Sequence, residues 1–163
     1  CRLEDGIMKH VLSALVKNQP GVTSRVSGLF RRRGYNIDSF IGSSTEDERF
    51  SRLTIVVQGD DIVIAQVISQ LEKLEDIISI EDIQQESMIS KVLLFIKVKA
   101  DINDRVGIIV VANACNARVI EMSKEYLILE ALDSEERISE MIEIFKPYGI
   151  IELVKTGVVA MKR

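Results

Sequence analysis

Residues 8–34, MKHVLSALVKNQPGVTSRVSGLFRRRG, predict a strand, a tight turn and a helix, and this unit decides the fold. The strand is expected at about residues 10–16, and it stops at residues 18–21, which are turn formers. The helix is expected at residues 22–33, where a terminal run of arginines complements the helix dipole before Gly34. Its apolar residues fall on one helical face: Val22, Val26, Leu29 and Phe30.

The remainder of residues 8–84 completes a βαββαβ unit. Strand patterns at residues 37–42 and 50–57 flank a polar loop, as in a hairpin. A second amphipathic helix follows at about residues 61–74, and a fourth strand lies within residues 77–83. This order is the ferredoxin-like arrangement, in which an antiparallel sheet carries both helices on one face.

The same order repeats after a polar stretch at residues 84–90. The repeat comprises strands and helices at about residues 92–98, 103–113, 118–122, 126–131, 135–146 and 150–155. The apolar residues of its first helix, which we expect to face the sheet, are Val106, Ile109 and Val110. The sequence therefore predicts an α+β protein with two tandem ferredoxin-like βαββαβ domains, at residues 8–84 and 90–163.

Each predicted sheet has one face without helices. An uncovered sheet face or edge favours association with another chain, so we expect at least a homodimer. The net charge of −4 argues against a nucleic-acid partner, because neutralising phosphates needs a surplus of Lys and Arg. No apolar run approaches the roughly 18 to 20 residues that span a bilayer, so no membrane partner is expected.

Residue types that carry catalysis or bind metals are scarce. The chain has one histidine and two dispersed cysteines, which argues against a transition-metal site and against a disulfide framework. We find no catalytic or nucleotide-binding motif in a sequence context that would support it, whether paired carboxylates, a P-loop or a nucleotide-binding glycine pattern. We therefore predict no catalytic residue, no metal ligand and no cofactor bound by this chain.

The turn between the first strand and the first helix is the best candidate for a binding site. Free backbone N–H groups at a helix N-terminus form an anion site that suits a carboxylate. Gly21 allows a ligand to approach the backbone closely, and the Asn18 amide can donate and accept hydrogen bonds, which suits a zwitterion. A bare strand-turn-helix junction has the same geometry without a ligand, so both interpretations stay open on these residues alone.

Five segments also resemble one family. They are residues 12–22 (LSALVKNQPGV), 25–30 (RVSGLF), 33–39 (RGYNIDS), 51–55 (SRLTI) and 156–163 (TGVVAMKR). Together they resemble the small regulatory subunit of acetolactate synthase (acetohydroxyacid synthase), whose N-terminal domain is an ACT domain. The resemblance covers about residues 8–163 and implies that the first predicted domain is an ACT domain.

The resemblance implies a non-catalytic subunit that activates a separate catalytic subunit. It also implies feedback inhibition by a branched-chain amino acid, valine first among them, in branched-chain amino-acid biosynthesis. The catalytic partner would carry thiamine diphosphate, Mg and FAD. The effector would bind between two ACT domains of a homodimer. The implied effector-binding residues are Asn18, Gln19, Pro20, Gly21 and Val22 from one subunit, with Asn36 and Ile37 from the other.

Two other functions fit parts of the sequence. A free-standing ACT-domain sensor that controls another protein would explain the first domain but not the full-length resemblance. A small acylphosphatase-like hydrolase shares the fold, but its phosphate cradle needs an arginine, and the turn offers none before Arg25. Residues 1–7 precede Met8 and are interpreted as a leader remnant, an expression scar or a native extension. The cytoplasm is the expected compartment, with a plastid as the alternative.

Overall fold

A computed structural model of the chain describes residues 8–163, so the predicted extension at residues 1–7 lies outside the described part. The chain divides into two compact units. The first contains the chain up to Ser90 together with Val158–Arg163, and the second is Lys91–Gly157. Each unit has the predicted βαββαβ order, which confirms the α+β class and the tandem ferredoxin-like halves.

The first unit is an antiparallel sheet with two helices on one face. Its strands lie in the order β2-β3-β1-β4. On β1, alternate residues Leu12, Ala14 and Val16 are buried in the core, as the period of two in a strand requires. The elements are β1 (Met8–Lys17), α1 (Val22–Arg33), β2 (Asn36–Ser44), β3 (Phe50–Gly59), α2 (Asp61–Glu72) and β4 (Ile77–Asp82).

The second unit repeats this topology with the strand order β6-β7-β5-β8. Its largest fully buried side chains include Phe145 from the second helix and Leu94 and Leu129 from the two central strands. The elements are β5 (Met88–Lys99), α3 (Arg105–Ala114), β6 (Arg118–Met122), β7 (Tyr126–Asp133), α4 (Glu135–Phe145) and β8 (Ile150–Lys155). The strand β5 begins in the first unit and continues into the second.

The predicted inner face of α3 was wrong. The buried residues of this helix are Ile108 and Ala112, whereas Val106 is 70% exposed and Val110 is 61% exposed. Apolar residues occur all around α3, so their spacing does not select one face, and packing against the sheet decides. The predicted face includes two residues that the structure turns outward.

Within the described part of the chain, the face of the first sheet opposite the helices is free of helices, as predicted, but a strand that we did not predict lies across it. The last strand, β9 (Val159–Lys162), was not predicted, and it belongs to the first unit with Val158. The backbone N–H of Val158 donates to Ser39 Oγ on β2, and Lys162 Nζ pairs with Glu81 Oε2 on β4 at 2.7 Å. The segment therefore runs from one edge strand to the other across the face opposite the helices.

Burial on both sides supports this placement of the segment. Val158 and Ala160 are each 6% exposed. On the face opposite the helices, Val11 on β1 and Val56 on β3 lie opposite each other in register, and both are buried. The sequence-based division placed residues 158–163 in the second domain, whereas here they close the first unit. The Arg163 N–H donates to the Ser87 carbonyl of the first unit at 2.8 Å, which holds the chain end there.

The second sheet keeps an open, apolar face. Phe95, Ile128 and Val154 from three adjacent strands line a shallow depression of about 290 Å³ together with Ile120. Lys97 lies over the Tyr126 ring at 5.0 Å from its centre and pairs with Glu152 at 3.6 Å. None of the helices within residues 8–163 is long and apolar enough to cross a membrane.

Candidate functional site

The turn between β1 and α1 has the geometry that the sequence predicts. Gly21 is the N-cap of α1 and has a φ of 86°, in the left-handed region. No side chain caps the first turn of α1, and no acidic side chain lies in it. The Val22 N–H donates to the Gln19 carbonyl at 3.4 Å. The next two amides of α1, at Thr23 and Ser24, are left for an external acceptor, and the dipole of the helix favours an anion there.

Asn18 connects this turn to the loop between β2 and β3. Its backbone N–H donates to the Arg49 carbonyl at 2.8 Å, and its side-chain Nδ2 donates to the Glu48 carbonyl at 2.9 Å. One donor of the Asn18 amide is thus used within the chain. The Oδ1 atom and the second N–H remain for a ligand, which is the donor and acceptor pair that a zwitterion needs.

Arg25 was missed by the sequence analysis as a member of this site. It lies one helical turn after Gly21, and a Cβ on Gly21 would be 3.0 Å from Arg25 Nη1. Its Nε donates to Asp76 Oδ2 at 2.6 Å, which holds the guanidinium over the turn. The hydrogen bond from Arg25 lowers the pKa of Asp76, and the charge of Lys17 lowers it further. A guanidinium paired with Asp76 therefore lies at the turn, where a carboxylate would bind.

The remaining predicted residues fall into three groups. Gln19 and Pro20 are exposed beside Asn18. Val22 is only 3% exposed and packs in the core, and its backbone N–H donates to the Gln19 carbonyl, so neither its side chain nor its amide is available to a ligand. Asn36 and Ile37 begin β2 at the opposite end of the sheet.

The strand register gives the separation within one chain. Asn36 lies opposite Gln58, whereas Lys17, next to Asn18, lies opposite Phe50. Eight residues of β3 at roughly 3.4 Å each separate these two ends by about 27 Å. A single small ligand cannot touch both groups in one chain.

The loop that accepts the hydrogen bonds of Asn18 contains an ion pair between Asp47 and Arg49. This ion pair leads to a prediction about the pH dependence of Asp47. Asp47 accepts hydrogen bonds from the Arg49 side chain and backbone amide, and these lower the pKa of Asp47 to about 2. Because the folded pKa is depressed, the stabilisation is present above the unfolded value of about 3.9 and is lost as the pH falls through about 2. We expect a carboxyl NMR titration of Asp47 with a midpoint near 2.

Arg49→Ala should raise this midpoint toward the ordinary value, because only the backbone donor of residue 49 remains. Arg32→Ala is the matched control, since Arg32 is an exposed arginine of α1 with no bond to Asp47. An Asp47 midpoint that does not move in Arg49→Ala would contradict the assignment of the shift to this ion pair.

Two family models match the chain as two separate parts. A family model described as "AHAS small subunit-like ACT domain" matches residues 12–79, and one described as "Small subunit of acetolactate synthase" matches residues 91–163. A probable acetolactate synthase small subunit of Archaeoglobus fulgidus is 45% identical over 96% of this chain and 98% of that protein. The chain belongs to the acetolactate synthase small-subunit family.

Further comparisons agree with this membership. The acetolactate synthase small subunit of Mycolicibacterium smegmatis is 40% identical, over 99% of this chain and 95% of that protein. The crystal structure of the small subunit from Thermotoga maritima superposes with a TM-score of 0.90 at 33% identity, covering 96% of this chain and 98% of that one. Membership confirms the family resemblance and identifies the first half as an ACT domain, so the turn at residues 18–21 lies in the ACT half of a small-subunit protein.

The hydrolase alternative depends on an arginine at this turn. The structure does bring Arg25 over Gly21, although its Nε is held by Asp76. Within residues 8–163, no group of three or more His, Cys, Asp or Glu side chains could hold a metal ion. The small-subunit family membership along the whole chain favours a regulatory role over hydrolysis, because it accounts for both units.

Proposed function

We propose that this chain activates the catalytic subunit of acetolactate synthase and makes it sensitive to feedback inhibition by a branched-chain amino acid, with valine as the first candidate. The observation that carries the proposal is the N-terminus of α1 beside Asn18, which no side chain caps and which has the Arg25 guanidinium over it, in the ACT half of a small-subunit protein. The thiamine diphosphate, Mg and FAD belong to the catalytic partner in this proposal. The cytoplasm stays a prediction.

The turn offers a complementary group for each charged end of an amino acid. The effector carboxylate would accept hydrogen bonds from the Thr23 and Ser24 amides of α1, where the dipole and the Arg25 guanidinium favour negative charge. The ammonium would donate to Asn18 Oδ1. Discrimination among valine, leucine and isoleucine would be modest, because one methylene is worth only about 1–3 kcal/mol.

A homodimer would complete the site. β2 is an edge strand, so a second copy can pair with it in antiparallel orientation. That pairing would place the start of one β2 beside the end of the other. Ser44 at the end of β2 lies opposite Ser51 on β3, next to the end of β1 that carries Asn18. Asn36 and Ile37 of the second copy would thus lie at the same sheet end as Asn18.

The regulatory effect would require that effector binding and catalytic-subunit binding influence each other. Such coupling is typically about 1–3 kcal/mol and is reciprocal for binding free energies. The catalytic subunit should therefore change the affinity of this chain for the effector. The effector should change the affinity of this chain for the catalytic subunit by the same factor. Equal valine affinity with and without the partner would exclude coupling through assembly.

Isothermal titration of the purified chain with valine, leucine and isoleucine tests the proposal. Saturable binding of at least one of them, at one site per chain or per pair of chains, is the expected result. The titration is then repeated with the catalytic subunit present. If none of the three amino acids produces heat or a thermal shift, the effector part of the proposal is wrong.

Asn18→Ala should weaken effector binding by about 1–3 kcal/mol, because a buried polar group of the ligand would lose its partner. The measurement is the same titration, with circular dichroism to show that the fold is intact. Asn113→Ala is the matched control, since Asn113 is an exposed asparagine in the second unit. This variant should bind the effector as the original chain does. Unchanged affinity in Asn18→Ala would place the effector elsewhere.

A further inference from the structure

The chain passes between its two units twice. It enters the second unit within β5, between Ser90 and Lys91, and it returns to the first between Gly157 and Val158. The return is short, because β8 ends at Lys155 and β9 begins at Val159. Little slack separates the last strand of the second unit from the segment that covers the first sheet.

Thr156 fixes the point where the chain leaves the second unit. Its backbone N–H donates to the Leu93 carbonyl at 2.9 Å, and its Oγ1 accepts from the Leu93 N–H at 3.0 Å. Both groups of Thr156 are therefore bound to the central strand β5. A displacement of Thr156 would have to move or break the edge of that sheet.

Ser39 fixes the point where the chain arrives on the first sheet. Its Oγ accepts from the Val158 N–H at 3.3 Å, and the Val158 side chain is buried. Only Gly157 lies between the anchored residues Thr156 and Val158. Because successive Cα atoms are about 3.8 Å apart, a shift at one anchor reaches the other through two peptide bonds.

Ser39 also lies next to the proposed effector residues. It is two positions after Ile37 on β2, and the pairing of β2 with β3 shifts register between Ile37 and Ser39. A bulge of this kind is a local irregularity that re-aims the side chains around it. Ordering of Asn36 and Ile37 by a ligand would therefore act first on this irregular step and then on Ser39.

We propose that the Ser39–Val158 contact couples effector occupancy in the first unit to the second unit. This inference depends on the proposed function, since it needs an effector at Asn36 and Ile37. Ser39 is a positioning residue in this scheme and does not touch the effector. Its hydroxyl holds Val158, and Val158 carries the change through Gly157 to Thr156 and β5.

The test combines effector titration with hydrogen exchange on the full chain, using valine, leucine and isoleucine as probes. In the original chain, the effector that binds should change the exchange of amides in residues 91–98 by at least about 5-fold, as expected for ordinary coupling. Ser39→Ala should bind that effector within about 3-fold of the original affinity yet show no such change. Ser39→Thr, which keeps a hydroxyl acceptor, should restore it.

Ser43→Ala is the matched control, because Ser43 is an exposed serine of the same strand. It should behave as the original chain does in both measurements. If Ser39→Ala still shows the effector-dependent change in exchange, the inference is wrong. It is also wrong if Ser39→Ala loses effector binding, because Ser39 would then be a ligand contact. Failure of the original chain to bind any of the three amino acids would instead overturn the proposed function, and the inference with it.

Discussion

Gly21→Ala should reduce effector affinity by at least about 10-fold and also destabilise the first unit. A non-glycine residue in the left-handed region costs about 1–2 kcal/mol, and Gly21 has a φ of 86°. The new Cβ would also lie 3.0 Å from Arg25 Nη1, so the guanidinium must move by a few tenths of an ångström. Both effects act on the groups that are proposed to hold the effector carboxylate.

The control for Gly21→Ala is another glycine with a positive φ, which lies away from the proposed site. Gly149 has a φ of 91° and lies in the second unit, and a Cβ there would meet Lys99 Cβ at 3.5 Å, an ordinary contact. Gly149→Ala should therefore lower the melting temperature without changing effector affinity. Titration and thermal melting of both variants check this, and an unaltered affinity in Gly21→Ala would remove the turn from the site.

The order of elements could be predicted because each one carries a clear local pattern. For example, β6 and β8 have the predicted bounds at residues 118–122 and 150–155. Similarly, the apolar spacing of α1 predicts its buried residues, including Val26 and Phe30. Here local periodicity and tertiary packing agree, so the sequence was sufficient.

Tertiary pairing explains what the sequence did not reveal. The segment of β9 is only four residues long and has no period of its own to distinguish it. Its position depends on β5, on Ser39 and on Glu81, which are distant in sequence. The face of α3 also depended on packing, since Val106 and Ile108 are equally apolar.

Only the backbone conformation of the candidate site could be predicted from the sequence. The residues at positions 18–21 indicate a sharp turn before a helix, and the structure has one there. The position of Arg25 could have been inferred from its spacing, because residues four apart lie on the same side of a helix. Its partner Asp76 could not, since the two are 51 positions apart in the chain.

Of the substitutions proposed here, Phe30→Ala should cause the largest loss of stability, about 3–5 kcal/mol in the free energy of unfolding. Phe30 is only 1% exposed, and its ring packs edge-to-face on Tyr35 at a centroid distance of 6.1 Å. Removing it leaves a cavity between α1 and the first sheet that the rigid β1 and β3 cannot fill. Phe95→Ala is the control, because Phe95 is 38% exposed on the open face of the second sheet and its removal leaves no enclosed cavity. Urea unfolding of both variants measures the difference, and equal losses would mean that Phe30 is not the core residue that the structure indicates.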